Sequence, residues 1–204
     1  MPKIVDASAR RDAIAEAVLA VIAHGGLRAA TLASIASESG LAVGSVRHYF
    51  AGHNELLRFA AETLVDRTTA RLESHLGALG TADSAEARTT AAVDMLCEVL
   101  PLDETRETEA VVWLEFAVAA RTRADTAHPI GLLHDGLRTL VGRMITSGLQ
   151  SGRLRHDLDA NVEIARLHAL VDGLLLHGVL ASDPDFSVLS RRIVETHLRG
   201  LVAQ

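Results

Sequence analysis

Cysteine is almost missing from this 204-residue chain: Cys97 stands alone, so no intramolecular disulfide can form and a reducing compartment is expected. Lysine is equally scarce. Lys3 is the sole lysine, and the other 19 basic residues are arginines, whose planar, always-charged fork suits phosphate and carboxylate, although a codon bias toward arginine explains the pattern as well. Long apolar runs are absent. The longest stretch free of Asp, Glu, Lys and Arg, Ala17 to Leu27, has 11 residues, well short of the roughly 20 that span a bilayer. Pro2, Lys3 and Asp6 fall within the first six positions, where a secretory leader would carry an apolar stretch. A cytoplasmic protein without a membrane segment is therefore expected. Catalytic signatures are missing too. There is no His-Glu-x-x-His, no Glu three residues before any of the ten histidines, no Gly-x-Ser-x-Gly and no Gly-x-x-x-x-Gly-Lys. The histidines read as scattered surface and boundary residues and Cys97, in Met95-Leu96-Cys97-Glu98-Val99, as inert core. No catalytic residue, cofactor or metal site is expected, and hence no enzyme.

What the chain does contain is helical periodicity. Hydrophobic residues make up 49% of it and aromatics only 3%, and no alternating β-branched run suggests a strand. Ile14, Val18, Val21 and Ile22 form the stripe of an amphipathic helix from about Ser8 to His24, stopped by Gly25-Gly26. Short segments at 32–39 and 43–49 follow, then a long helix over 54–79 and further helices at 84–99, 105–123, 130–151, 160–181 and 186–201. The breaks are placed at Pro101, Pro129, 152–157 and 183–185. The reading is all-α, with about nine helices. A chain of this length buries roughly 70% of its unfolded surface without a disulfide or metal staple. The net charge of −6 is uneven: residues 1–60 hold six basic and five acidic residues, so the remainder carries −7. Such asymmetry hints at two jobs.

Residues 31–50, TLASIASESGLAVGSVRHYF, are the informative stretch. Two helices of about two turns each meet at a tight turn containing Gly40, the arrangement of a helix-turn-helix. Ala36 is small where the helices approach, Ile35, Leu41 and Val46 supply apolar contacts, and Ser45, Arg47, His48 and Tyr49 give the second helix hydrogen-bonding groups. The pattern Thr31, Ile35-Ala36, Ser39-Gly40-Leu41, Gly44-Ser45-Val46, Tyr49-Phe50 and Glu55-Leu56-Leu57 resembles the N-terminal signature of TetR-family regulators. Arg47-His48-Tyr49-Phe50, Trp113-Leu114-x-Phe116, Ala119-Ala120-Arg121 and Asp172-Gly173-Leu174 are similar to the branch that holds the choline-responsive betaine-pathway repressor. Two departures stand out: Ala42 sits where a Ser or Thr often caps the recognition helix, and His53 replaces the usual Lys.

The resemblance implies a DNA-binding domain over 1–52 and a ligand-binding and dimerisation domain over 53–204. Thr31, Tyr49 and His53 would touch phosphates, Ser45, Arg47 and His48 would face base edges, and Lys3, Arg10 and Arg11 would form a mobile basic arm. Boundary packing is the plainer alternative for Tyr49, and simple exposure for the two histidines. The implied partners are an operator in double-stranded DNA, a small-molecule effector, and a second copy of the chain. Leu167, Leu170, Val171, Leu174, Val179 and Leu180 in 160–181, with Val188, Leu189, Ile193, Val194 and Leu198 in 186–201, would make a two-fold four-helix interface eased by Gly173 and Gly178; burial within one chain would use the same stripes. Met95, Trp113, Phe116, His134 and Met144 are candidate pocket residues, each equally readable as core. Trp113 beside Glu115 suggests a cation cradle. The expected function is a transcriptional regulator, most simply a repressor. The rivals are an all-α ligand-binding protein or enzyme that ignores DNA, and a non-specific architectural DNA protein, which the charge balance disfavours.

Overall fold

The computed structural model describes residues 7–180 and 184–203, leaving aside the side chains of 125 and 126. Nine α-helices follow one another among these residues: α1 (Ala7–Gly25), α2 (Leu32–Glu38), α3 (Val43–Tyr49), α4 (His53–Thr81), α5 (Ala85–Cys97), α6 (Glu104–Ala120), α7 (Ala124–Gln150), α8 (Ala160–Leu180) and α9 (Phe186–Leu201). A single 3-10 turn, Leu27–Ala29, links α1 to α2. The described residues contain no strand, only an isolated bridge between Leu154 and Val202 that ties the end of the chain to the α7–α8 loop. The all-α expectation holds.

The chain divides into two compact units. One comprises Met1–Arg67 with Val111–Gly131, the other Thr68–Ala110 with Leu132–Gln204. Helices α4, α6 and α7 each contribute residues to both. The first unit therefore runs past residue 52 and takes in the second half of α6. Its core explains why: Val112 and Phe116 are fully enclosed among Ile14, Val18, Ile22, Ile35, Val46, Leu56 and Leu57. Val21, the third member of the expected α1 stripe, is only half-buried against this cluster.

One break differs from expectation. Pro129 does not separate two helices; it is buried inside α7, which starts at Ala124. The real break is the turn at 121–123, closed by Arg121 and Arg123 amides donating to Val118 and Ala119 carbonyls. At the sixth residue of α7 the proline gives up one i→i−4 backbone bond, and the helix continues through it to Gln150.

In the second unit α5 and α8 both pack on α9. Leu167, Val171, Leu174, Val194 and Leu198 are buried within the chain, whereas Val162, Leu176, Leu180, Val188 and Leu189 are exposed. The stripes on α8 and α9 thus serve two directions at once. Gly178 allows a close approach inside the protomer, since a Cβ there would strike Pro101 and the Phe186 ring; Gly173 has open space around it.

Candidate nucleic-acid interface and ligand cavity

Local chemistry builds the helix-turn-helix. Thr31 caps α2: its hydroxyl accepts from the Ser34 amide at 3.1 Å, and the Ser34 hydroxyl accepts from the Thr31 amide at 2.9 Å. This reciprocal box satisfies two of the helix's orphan donors. The turn that follows requires a left-handed residue, and Gly40 supplies it at φ +66°. The Leu41 amide then donates to the Ala36 carbonyl at 2.9 Å, closing α2 onto α3. Ala42 stands at the N-cap of helix α3 and offers no side-chain cap. Buried Val46 fixes which side faces the core, leaving Arg47 and His48 exposed and Ser45 and Tyr49 half-buried. Arg10, Ser45, His48 and Tyr49 line a groove of about 390 Å³.

The basic residues near this surface do different things. Arg11, expected in a mobile arm, is a clamp. Its guanidinium lies 4.6 Å from the centroids of both Phe50 and Phe59, donates to the Tyr49 carbonyl at 3.2 Å, and stands 3.9 Å from Glu55. It therefore holds the C-terminal end of α3 in place. Arg10 reaches the groove, and Lys3 lies outside the described residues. The half-buried His53 ring points inward, with Nε2 2.5 Å from the Ala30 carbonyl, so that nitrogen is committed to the backbone. Arg47 has no ion-pair partner among the described residues and is the freest cation on α3.

Of the five candidate pocket residues, Trp113 and Phe116 fall in the first unit and Met95, His134 and Met144 in the second. Phe116 and Trp113 belong to the core of the first unit, Phe116 fully enclosed and Trp113 packed at its edge. Glu115, expected beside Trp113 in a cation cradle, accepts from the Leu27 amide at 2.8 Å and stands against Gly26. It ties α6 to the start of the helix-turn-helix. Met95 is fully buried in the second unit. Met144 alone of the five lines a cavity of about 380 Å³ in that unit. Leu76, Leu79, Leu154 and Leu198 supply apolar wall, and the only charged lining residues are Arg88, Arg143 and Arg153. These arginines escaped the sequence reading because they come from three separate parts of the chain.

His134 is exposed and faces His168, with ring centroids 4.6 Å apart. His168 and Asp172 lie four residues apart on α8, one turn and one face. The three side chains place their ligand-type atoms within 4.8 Å of one another. His168 is 5% exposed, and its Nε2 has no hydrogen-bond partner, a vacancy that costs about 1–3 kcal/mol when nothing fills it. Burial pushes its imidazole below the ordinary 6.5, helped by His134 and Arg138 and opposed by Asp172 and Asp135. The sequence reading missed this set because it sought motifs local in the chain; only the His168–Asp172 spacing was visible.

A second buried group lies between α8 and α9. Glu163 takes a 2.7 Å bond from Arg166 through one oxygen, while its other oxygen stands 4.0 Å from His197 Nε2. Cys97 is buried and burial raises its thiol pKa, as an inert core residue requires.

Comparison with known proteins adds to this geometry. Residues 14–59 match the family described as bacterial regulatory proteins, tetR family, and residues 88–203 match the BetI-type transcriptional repressor C-terminal family. The HTH-type transcriptional regulator PksA of Bacillus subtilis is 31% identical over 204 residues, covering all of this chain and 95% of that protein. A crystal structure of a transcriptional regulator from Rhodococcus superposes with a TM-score of 0.78 at 28% identity, covering 94% of this chain and 95% of that one. A regulator from Saccharomonospora viridis, solved in complex with choline, shares the fold with a TM-score of 0.81 at 22% identity, over 97% and 100% of the two chains.

Proposed function

The chain belongs to the TetR family of bacterial regulatory proteins, with a BetI-type C-terminal domain, and on that premise we propose that it represses transcription from a two-fold operator and is released by a small amphiphilic anion. The observation that carries the DNA half is α3, a short helix anchored by Val46 that leaves Arg47 and His48 free in front of a capped α2. Arg47 pointing at a guanine edge would contribute about 1–3 kcal/mol of discrimination. Thr31, Ser45, Tyr49 and Arg10 would supply phosphate and groove contacts, with Arg11 supporting them from behind.

Dimerisation follows from the exposed Leu180, Val188 and Leu189 on α8 and α9, apolar groups that a monomer leaves in water. A two-fold dimer presents two recognition helices to half-sites one helical turn apart. No helix among the described residues is long and apolar enough to cross a membrane, in keeping with work on chromosomal DNA in the cytoplasm.

The effector class follows from the cavity. Its volume suits a small ligand, its walls are apolar, and three arginines without a lining carboxylate favour a negative head group. A choline-like cation would meet like charge there. The cavity draws lining residues from the later part of α4, and the same helix supplies Leu56, Leu57 and Leu64 to the reader's core, so α4 contributes residues to both. The ligand releases DNA only by binding the DNA-free conformation better; each tenfold difference in operator affinity needs about 1.4 kcal/mol of such preference.

Fluorescence anisotropy on labelled DNA flanking the protein's own gene tests the reading. Decanoate is expected to displace the protein and choline to leave it bound. Displacement by choline with no response to carboxylates would contradict the effector class and leave the DNA assignment standing.

A further inference from the structure

We propose that His134, His168 and Asp172 form a binding site for a first-row divalent metal ion of the zinc class, joining α7 to α8. Two imidazoles and a carboxylate are ligand types that suit such ions, and these three converge within 4.8 Å from two different helices. Convergence alone is common on surfaces. What marks this set is His168: it is 5% exposed, its ring faces His134, and its Nε2 is buried with no hydrogen-bond partner. A buried imidazole nitrogen normally finds a protein or water partner, and a metal ion would satisfy the set directly.

The surroundings are compatible with a cation. Asp172 and Asp135 are negative, Arg138 is positive, and these with His134 are the charged or titratable groups that act on His168. The balance is one negative charge. Donor atoms about a tetrahedral zinc stand roughly 3.3 Å apart, so closing the site from its present 4.8 Å span needs a movement of about 1.5 Å. His134 is exposed and can supply most of it by rotating its side chain, while buried His168 stays fixed. Three protein ligands leave at least one coordination position for water. Bound metal would pin α7 to α8, the helix that carries exposed Val162, Leu176 and Leu180, and so would stiffen one side of the surface assigned to the dimer.

The site does not rest on the DNA or effector reading and is tested without either. Full-length, tag-free protein stripped with chelator is titrated with zinc against a chromophoric competitor, and with cobalt while visible absorption is followed. The wild-type chain is expected to take up one zinc, to show a cobalt d–d band, and to melt at a higher temperature with zinc present. His134→Ala and Asp172→Asn, both at positions open enough to fold normally, are each expected to weaken zinc at least about tenfold and to lose the cobalt band, with circular dichroism unchanged. Failure of the wild-type chain to retain zinc at micromolar free metal overturns the proposal. So does zinc held equally well by both variants, which would place it on the other histidines.

Discussion

The two compact units differ in how completely they satisfy themselves. In the first, every helix turns its apolar face into one core, and the fully enclosed Ile14, Ile22, Ile35, Leu56 and Phe116 come from four helices. Among the described residues Val43 and Val118 are its exposed large hydrophobics, whereas the second unit leaves seven exposed, among them Leu180, Val188 and Leu189, and holds an open cavity. All four buried side-chain atoms that lack a hydrogen bond among the described residues, Arg71 Nε, Glu163 Oε2, His168 Nε2 and His197 Nε2, belong to it as well, though Arg71 Nε stands 3.3 Å from Glu98 in an ion pair. A reading head has to be rigid before it meets DNA, because its few contacts depend on placement. A regulatory body has to be incomplete, because ligand and partner supply what is missing.

The sharpest way to break this contrast is to open the first core. Phe116→Ala removes a fully buried ring and is expected to cost about 3–5 kcal/mol of stability, read by urea unfolding, and to abolish operator binding although residue 116 lies far along the chain from α3. Replacing Leu180 and Leu189 by Glu should do the opposite. Folding of one chain should survive, since both side chains are already in water, while light scattering should show monomers and operator affinity should fall steeply. Arg47→Ala is expected to leave stability and dimerisation unchanged and to weaken the cognate operator by about 1–3 kcal/mol, more than it weakens random DNA. Thr31→Ala removes the α2 cap and should cost about 1 kcal/mol of stability.

The smallest expected effect is a pH dependence in the second unit. Burial, with Arg166 behind it and Glu163 opposing, holds His197 below its ordinary 6.5. The folded chain therefore resists a proton that the unfolded chain accepts, so the stability due to neutral His197 is complete above pH 6.5 and is lost as pH falls through that value. Melting temperature followed from pH 7.5 downward should decline, and His197→Gln should flatten the decline.

How much of this was legible in the residues depends on distance along the chain. The helix-turn-helix was readable because its determinants are local: the Thr31–Ser34 cap, the left-handed Gly40 and the inward Val46 lie within 16 positions. Pro129 misled because a proline does not always end a helix: α7 runs through it at its sixth residue. Arg11 read as an arm because stacking on Phe50 and Phe59 pairs α1 with residues some 40 positions away. Phe116 was legible as buried but not as part of the reader, and the Arg-lined cavity and the His134–His168–Asp172 set join segments that no short pattern connects. On α8 and α9 periodicity marked the apolar faces but could not say which half meets this chain and which a second one.

Binding of the operator itself bears most directly on the central claim that a self-contained reading head is carried by an incomplete regulatory body. Wild-type protein and Arg47→Ala should be titrated into labelled DNA flanking the protein's own gene and into scrambled DNA of equal length at two salt concentrations. One dimer is expected per two-fold site, with a preference for the natural sequence of at least about a thousandfold and loss of most of that preference in the variant. Equal affinity for both DNAs, or no binding even at low salt, would contradict the claim.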